Sequence, residues 1–292
     1  MARQASLPVF TRHADDDIII RRAESLADYR ACQDVQRGAW GIVDEGYVVP
    51  IATLVGANLH GGMVLGAFQP DGQAVGFSFG FLGRIEGCLC LYSQLTGVLP
   101  AFQSRGLGQE LKFAQRDLAR AEGLGKIAWA FDPLQAGNAF FNLQRLGAYA
   151  RRYIENMYGP RTDALNAGVP TDRLIAEWDI DVEPEKARSP LLLGVSSLPH
   201  LIEVTGEADL LVPVRVSFEI GSGPVLLEIP GQIGELRRHH SSVAEVWRTS
   251  AHQAFEAVFA RGFRAMGFVR DDASGRRRNY YVLERETARE GL

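Results

Sequence analysis

Cysteine is scarce in this sequence, and its scarcity limits both the redox setting and the kind of fold. Of the 292 residues, only Cys32, Cys88 and Cys90 are cysteines. Three thiols cannot build a disulfide framework, so the chain is expected to fold without one. Free thiols persist in a reducing compartment, and the sequence therefore predicts a cytoplasmic protein.

Long hydrophobic runs, a strong charge imbalance and a metal-binding pattern are also missing. No apolar run approaches the roughly 20 residues that cross a bilayer, and the polar N-terminus lacks the apolar segment of a signal peptide. The net charge of −4 argues against general nucleic-acid binding. No His, Cys and Asp cluster has the spacing of metal ligands. These absences predict a globular protein, 46% hydrophobic and 23% charged, that acts without a membrane, a nucleic acid or a metal.

What is present is a strand, a glycine-bearing turn and a helix within residues 89–123. The apolar run Leu89–Tyr92 predicts the strand. The helix is predicted by an apolar stripe with spacings of four and three residues, formed by Leu107, Leu111, Ala114, Leu118 and Ala121. In the turn, Gly106 and Gly108 let an anion approach the backbone, and the first N–H groups of the helix favour one. The stretch is a candidate phosphate cradle, with Arg105 as an additional cation.

Two familiar phosphate motifs do not fit this turn. The dinucleotide fingerprint needs a third glycine, which Gly106–Leu111 lacks. A Walker loop needs Gly-Lys-Ser/Thr, whereas Gly125-Lys126 is followed by Ile127. The stretch Val98–Gly108 instead resembles the coenzyme A loop of the GNAT (GCN5-related) N-acetyltransferase superfamily, Val-x-Pro-x-aromatic-Gln/Arg-x-x-Gly-Ile/Leu-Gly, at every fixed position. The alternative interpretation is an ordinary strand–helix turn whose glycines serve packing.

The resemblance implies a site for acetyl-CoA, bound as a co-substrate without a metal. In this family the strand before the loop pairs with the pantetheine arm of CoA. The backbone N–H of Thr96 would meet the thioester carbonyl as an oxyanion donor, and Val98 would hold the pantetheine amide. Asn138 resembles the asparagine that contacts CoA, but it lies two residues closer to the helix-ending glycine than is usual. The pyrophosphate would be bound by the backbone N–H groups of the turn, which belong to Gln103, Ser104, Arg105, Gly106, Leu107 and Gly108.

The sequence departs from the family pattern at one catalytic position. The usual acid is a tyrosine four residues before the helix-ending Gly147, and here that position is Leu143. Three alternatives stay open: another group (Tyr149, Tyr153 or a water) protonates the departing thiolate, the thiolate leaves unassisted, or the site no longer catalyses the reaction. Asp132, at the end of its predicted strand, is the candidate base, with a cap or turn role as the alternative.

Periodicity and turn signals predict the element order of residues 17–160 independently of the loop. That order is strand, two helices, three strands, helix, strand, helix, strand, which is the GNAT order. The predicted fold class is α+β, with a mixed, mostly antiparallel sheet flanked by helices in three layers. A polar, turn-rich block at residues 158–178 resembles a subgroup of large predicted acetyltransferases. Its candidate substrate contacts are Asp163, Asn166, Asp172 and Arg173, with a self-bonded loop as the alternative.

The charged, proline-bearing stretch Asp181–Pro190 predicts a linker or crossover. Beyond it the pattern predicts strands at residues 191–195, 201–204, 212–219 and 225–229, then helices ending at Gly262 and a closing hairpin. This order resembles the back half of a GNAT domain without its CoA loop, and an extension of the first sheet is the alternative. The predicted domains are a CoA-binding domain at residues 1–180 and a C-terminal α/β domain at residues 186–292.

Two functions from different classes follow. The first is an acyl-CoA-dependent N-acyltransferase, in which a small-molecule or peptide amine attacks the thioester directly. The second is a non-catalytic acyl-CoA-binding or scaffolding protein, favoured by the missing tyrosine and the unusual C-terminal half. The identity of the acceptor stays open because variable loops on a shared scaffold contact it, and a homodimer stays open as the oligomeric state.

Overall fold

A computed structural model describes residues 11–13, 17–160, 170–182, 197–206, 210–272, 275 and 277–285. Contacts divide the chain into two compact units. The N-terminal unit comprises Met1–Trp129 with Pro160–Val169, and the C-terminal unit comprises Ala130–Gly159 with Pro170–Leu292. This division differs from the predicted boundary near residue 180. The reason is that the strand at residues 149–154 pairs with strands that come later in the chain.

The N-terminal unit is built on a sheet with the strand order β1-β2-β3-β4-β5-β6. Its strands are β1 (Thr11–His13), β2 (Ile18–Arg22), β3 (Met63–Phe68), β4 (Ala74–Ile85), β5 (Cys88–Val98) and β6 (Lys126–Phe131). Neighbouring strands are antiparallel except β5 and β6, which are parallel. Every residue of β3 is buried, which explains why this strand reads as a continuous apolar run.

Within the described residues, three α-helices accompany this sheet: α1 (Leu26–Trp40), α2 (Ile51–Leu59) and α3 (Leu107–Ala121). A core cluster joins the inner faces of α1 and α2 to β3 and β4, and its members include Tyr29, Cys32, Val35, Leu54, Val64 and Phe77. Helix α1 ends at Gly41, whose φ of 60° is the left-handed conformation that glycine adopts without a Cβ clash. The predicted order of one strand, two helices, three strands and a helix is confirmed.

The start of α1 is fixed by one carboxylate. Asp28 accepts two hydrogen bonds from the Arg21 guanidinium, at 2.9 and 2.8 Å, and further ones from the backbone N–H groups of Glu24 and Ser25. The Ser25 hydroxyl in turn accepts from the Asp28 N–H, which completes a capping box. The Arg21 guanidinium holds the pKa of Asp28 well below its usual range, against the opposing effect of burial.

We expect Asp28→Asn to lower the free energy of unfolding by about 1–3 kcal/mol at neutral pH, because the amide keeps an acceptor for the cap but loses the charge that binds Arg21. The folded-state pKa of Asp28 is depressed, so its contribution is present above the unfolded pKa of about 4 and is lost as the pH falls below it. Urea unfolding between neutral and acid pH checks this, with exposed Asp34→Asn as the control. Equal pH dependence of wild type and Asp28→Asn would contradict the assignment.

In the C-terminal unit, antiparallel strands follow the order β8-β7-β12-β13-β11, and two further strands form a separate antiparallel pair. The strands are β7 (Tyr149–Ile154), β8 (Arg173–Asp179), β9 (Ile202–Thr205), β10 (Val212–Val216), β11 (Val225–Ile229), β12 (Phe263–Asp271) and β13 (Arg278–Arg285). The separate pair is β9 with β10. The predicted strand at residues 191–195 lies outside the described residues.

Among the described residues of the C-terminal unit there are three α-helices. They are α4 (Ala136–Ala139), which continues as a π-helical segment (Phe140–Arg145), α5 (Ile233–His239) and α6 (Ser241–Phe259). Helix α6 buries an apolar stripe that the sequence pattern predicted in part, with Trp247, Ala251, Ala254, Phe255 and Val258 all 1% exposed or less. In the described part of the chain, no single helix is both long and apolar enough to cross a membrane. One bent pair of helical segments, Leu26–Trp40 with Glu45–Leu59, meets the criteria for a membrane span by length and composition only.

Candidate acyl-CoA site

Strand β5 changes its pairing halfway along its length. On one side it pairs with β4 from Cys88 to Val98, and a register shift there leaves Gln94 as an extra residue opposite Phe79 and Gly80. On the other side it pairs in parallel with β6 at Leu91 and Tyr92. Among the described pairings of this unit, Ser93–Val98 therefore pairs on the β4 side alone. A β-bulge bends its strand and re-aims the residues that follow, so the second half of β5 offers a backbone edge to a ligand.

Thr96 and Val98 lie on this second half of β5. The Thr96 hydroxyl and the hydroxyl of buried Ser78 are 2.8 Å apart across the β4–β5 pair, which fixes the Thr96 side chain toward β4. Between the two residues, Gly97 faces Trp40 so closely that a Cβ would lie 2.5 Å from the ring. Packing of the α1 end against the strand therefore requires glycine at this position.

The turn after β5 is held open by two residues with left-handed backbone conformations. Ser104 has φ 64° and Gly106 has φ 89°. The Gln103 side-chain amide donates to the Val98 carbonyl at 2.9 Å, which ties the turn to the end of the strand. A Cβ at Gly106 would meet no atom within 4 Å, and one at Gly108 would meet only Val98 Cγ2, at 4.0 Å. Space for a ligand therefore lies directly against the backbone of the turn.

Backbone donors surround this space. In the described part of the chain, the N–H groups of Gly106, Leu107 and Gly108 donate to no backbone carbonyl, as expected for the first residues of a helix. Helix α3 has 15 residues, so its positive dipole end adds to these donors. The Arg105 guanidinium lies over the Phe102 ring, 5.4 Å from its centroid. The turn Gln103–Gly108 thus combines backbone N–H donors, a helix N-terminus and open space, which is an arrangement that suits a phosphate group.

Helix α4 departs from the predicted regular helix. Its second part is a π-helix, in which one extra residue is accommodated per turn. Asn138 is exposed in the first part, whereas Leu143, which stands where the GNAT pattern has a tyrosine, is fully buried. The unusual spacing between Asn138 and Gly147 accompanies this change in helix type.

Asp132, the candidate base, lies in a cluster of charged side chains in the C-terminal unit. Its Oδ1 accepts from the Leu134 N–H at 2.9 Å, and its Oδ2 accepts from Arg237 at 2.9 Å and from Arg248 at 3.4 Å. Arg248 also donates to Asp172, at 3.4 Å. The carboxylate of Asp132 is therefore bound to two arginines, and this arrangement supports the cap and turn role more than the role of a base.

Asp172 lies in the same cluster and is 2% exposed. It accepts from the Tyr153 hydroxyl at 2.7 Å and from the Asn156 N–H at 2.9 Å. Burial alone would raise the pKa of Asp172, but these hydrogen bonds and the Arg248 charge outweigh it and hold the pKa low. Burial and Asp172 raise the pKa of Tyr153. Asp163 and Asn166, the other candidate substrate contacts, lie outside the described residues.

Tyr149, the candidate acid, is bonded within its own sheet. Its hydroxyl donates to Glu177 Oε2 at 3.2 Å, and Arg151 donates to both oxygens of the same carboxylate, at 2.9 and 3.2 Å. Glu177 is fully buried and Tyr149 is 7% exposed. Among the described residues, no group of three or more His, Cys, Asp or Glu side chains is placed to hold a metal ion.

Lys112, on α3, is a buried residue that the sequence analysis missed. Its Nζ donates to Ser93 Oγ at 2.8 Å and lies 4.1 Å from the centroid of the Trp129 ring. The Ser93 hydroxyl donates to Gln115 Oε1 at 2.9 Å. Burial lowers the pKa of Lys112 to about 7. The apolar stripe of the helix gave no signal for a buried lysine, because charged residues are expected on the solvated face.

Comparison with known proteins gives likenesses in structure alone. No protein-family model matches the chain, and no curated protein matches its sequence. The similar solved structures include a proposed acetyltransferase from Salmonella typhimurium with acetyl-CoA (20% identity, 57% of this chain, 95% of that chain, TM-score 0.44). Another is a proposed GNAT acetyltransferase from Desulfovibrio desulfuricans (21% identity, 56% of this chain, 99% of that chain, TM-score 0.44). A third is the ribosomal-protein-S18-alanine N-acetyltransferase from Escherichia coli (18% identity, 56% of this chain, 94% of that chain, TM-score 0.43). At these identities and TM-scores, the likeness says nothing about the acceptor or about individual residues.

Proposed function

We propose that this chain is an acyl-CoA-dependent N-acyltransferase of the GNAT type, which transfers an acetyl group from acetyl-CoA to an amine. The observation that carries the proposal is the open backbone cradle at Gln103–Gly108, placed directly after the bulged half of β5. An ordinary packing turn would fill the space beside its glycines, and here both Gly106 and Gly108 face open space. The proposal includes a cytoplasmic setting and either a small-molecule or a peptide amine as acceptor.

The residues of the cradle fit the chemical groups of CoA. Backbone N–H groups of the turn bind the pyrophosphate, and the Val98 backbone binds the pantetheine amide in the manner of a neighbouring strand. Asn138 is the proposed side-chain contact to CoA. The thioester supplies an activated acyl group. The Thr96 N–H stabilises the negative charge that develops on the carbonyl oxygen when the amine attacks.

Proton transfer is the part of the reaction for which the structure favours water over side chains. Asp132 and Tyr149 remain the named candidates for base and acid, but each is already hydrogen-bonded within the C-terminal unit. An amine that reaches the site through water is deprotonated by water, and a CoA thiolate is stable enough to leave near neutral pH without a bonded acid. We therefore propose that Asp132→Asn and Tyr149→Phe affect stability more than the turnover of correctly folded protein.

Binding of acetyl-CoA and of free CoA to wild type and to Gly108→Glu, measured by calorimetry, tests the cradle. The new carboxylate has room to exist, so the variant is expected to fold, but its charge and bulk repel the pyrophosphate. We expect the affinity for both ligands to fall by at least about tenfold. Gly56→Glu is the matched control, because Gly56 is also helical and a Cβ there also meets nothing within 4 Å. Absence of binding to wild type at millimolar ligand would refute the proposal.

A non-catalytic acyl-CoA-binding protein is the second candidate. The observation that favours it is the bonding of both proposed proton-transfer side chains, together with the buried leucine at position 143. Release of free CoA thiol on mixing acetyl-CoA with a panel of primary amines and N-terminal peptides separates the two candidates. Acceptor-dependent release establishes the enzyme, and CoA binding with no release above the rate of hydrolysis establishes the binder.

A further inference from the structure

The C-terminal unit contains a cavity of about 1140 Å³, slightly larger than the roughly 300–1,000 Å³ that small-molecule sites occupy. All of the described residues that line it belong to this unit, and none of them belongs to the proposed CoA cradle. One part of its wall is apolar and is formed by Val204, Leu211, Ile229, Leu236 and Trp247. Another part is basic and is formed by Arg270, Arg277 and Arg278. The cavity therefore has the two surfaces that an amphipathic ligand requires.

Most charges in the cavity wall are already neutralised by a partner. Arg278 donates two hydrogen bonds to Glu228, which is 2% exposed. Arg277 is paired with Asp272 at 3.1 Å, and Glu235 is paired with Arg238. Arg270 differs from these, because within the described ranges no carboxylate forms an ion pair with it. One positive charge is thus left over on the basic part of the wall.

An aromatic ring holds this unpaired cation in place. The Arg270 guanidinium lies 4.0 Å from the centroid of the Phe140 ring, and Arg145 lies 5.8 Å from the same centroid. Partial burial and the neighbouring charges of Arg277 and Arg145 lower the pKa of Arg270, with Asp272 as the opposing influence. Three positive side chains thus lie near one another, and among the described residues Asp272 is the carboxylate whose charge opposes their effect on Arg270. A bound anion would relieve this repulsion, and the stacked guanidinium would still present its N–H edge to it.

We propose that the cavity binds a small organic anion with an apolar body, whose anionic head contacts Arg270 and Arg277 and whose body packs against Leu236 and Trp247. The Trp247 indole N–H already donates to the Leu211 carbonyl at 2.8 Å, so the ring offers the ligand an apolar surface. Carboxylates and phosphate esters share the required head chemistry, because the guanidinium fork binds either one through two parallel hydrogen bonds.

Phenyl phosphate, inorganic phosphate and phenol are the probes, with binding measured by calorimetry on the full chain. Phenyl phosphate carries head and body, and each of the other two carries one of them. We expect saturable binding of phenyl phosphate that is at least about tenfold tighter than that of inorganic phosphate, because its ring is removed from water. Phenol is expected to bind more weakly than phenyl phosphate, because it lacks the charged head.

Arg270→Gln tests the basic wall, and Arg285→Gln is its matched control. Arg285 is also an exposed arginine stacked on a phenylalanine, 5.6 Å from the Phe263 ring centroid, but it does not line the cavity. We expect Arg270→Gln to weaken phenyl phosphate binding by at least about tenfold and Arg285→Gln to leave it unchanged. Equal weakening by both variants, no effect of Arg270→Gln, or no saturable binding to wild type would each overturn the proposal.

The same measurement on Gly108→Glu separates this site from the acyl-CoA site. Gly108 does not line the cavity, so phenyl phosphate should bind this variant as it binds wild type. A loss of phenyl phosphate binding in Gly108→Glu would place the probe in the CoA cradle and overturn the cavity assignment. If CoA binding fails in wild type while phenyl phosphate binding follows Arg270, the cavity site stands without the proposed acyltransferase.

Discussion

Lys112→Met is expected to be more stable than wild type at pH 6.5, by up to about 5 kcal/mol. The Lys112 side chain is 5% exposed and has one neutral hydrogen-bond acceptor, Ser93 Oγ, and one aromatic face, Trp129. Burial lowers its pKa from the ordinary 10.5 to about 7. That difference corresponds to about 5 kcal/mol of cost when the folded chain carries the charged form. Methionine is unbranched and apolar, and it fills the same space without that cost.

The pH dependence of this effect has a definite sign. Because the folded-state pKa lies below the unfolded one, the unfolded chain binds more protons between about pH 7 and pH 10.5. The stability of wild type therefore rises with pH across this interval, whereas Lys112→Met lacks this component. The difference between variant and wild type should be largest below pH 7 and should vanish toward pH 10.5. The hydrogen bond to Ser93 and the contact with Trp129 favour the ammonium and reduce the difference.

Two measurements check this prediction. Urea unfolding of both proteins between pH 6 and 10 gives the stability difference, with Arg120→Met as the control that removes an exposed positive charge from the same helix. Nuclear magnetic resonance titration of lysine-labelled protein gives the pKa directly, and the chain has only three lysines to assign. A Lys112 pKa near 10.5, or a stability difference that does not change with pH, would contradict the assignment of a desolvated ammonium.

The elements with strong periodicity could be predicted from the sequence. The strand predicted at residues 225–229 is β11, with the same bounds, and the turn at Gln103–Gly108 lies where its glycines and the following stripe predicted it. These features are local, because the spacing of apolar residues and the conformational freedom of glycine are properties of short segments. The start of α1 at Ser25 was predictable for the same reason, since its capping box is complete within four residues.

Features that depend on distant neighbours could not be predicted in this way. The extra residue at Gln94 exists only relative to the register of β4, and no residue type in β5 indicates it. Lys112 lies on helix α3, but the groups that contact its buried ammonium lie on two strands. Ser93, on β5, accepts a hydrogen bond from it, and the Trp129 ring, on β6, lies against it. No residue type within Phe140–Arg145 indicates its π-helix. The short spacing between Asn138 and Gly147 is the one sequence feature that accompanies it.

The role of Asp132 shows the same limit for a candidate site residue. A carboxylate at the end of a strand is a reasonable base when its neighbours in sequence are considered alone. Its two arginine partners come from residues 237 and 248, more than 100 positions later, and their contact cannot be read from spacing. The distinction between a catalytic and a structural carboxylate therefore depends on the long-range packing of α5 and α6.

Arg248→Met is expected to lower the free energy of unfolding by about 3–5 kcal/mol, because the arginine is 7% exposed and bridges two carboxylates. Its removal leaves Asp132 with Arg237 but deprives buried Asp172 of a cation in this cluster. Asp172 should then titrate at a higher pH than in wild type, since the charge of Arg248 helps to hold its pKa low. The variant is therefore expected to recover part of its loss as the pH falls and the Asp172 carboxylate becomes protonated.

Adding Asp172→Asn to Arg248→Met tests whether the lost stability comes from an uncompensated charge. The double variant should be more stable than Arg248→Met alone, because the buried carboxylate that lacks its cation becomes a neutral amide that still accepts from Tyr153 and the Asn156 N–H. Arg238→Met, in an exposed pair with Glu235, should change the stability by no more than about 0.5 kcal/mol. If the loss of stability in the double variant instead equals the sum of the losses in Arg248→Met and Asp172→Asn, the two residues act independently and the cluster is not coupled.

If Asp132→Asn abolishes thiol release without a comparable loss of stability, Asp132 is the base, and its arginine partners serve to orient it for that role.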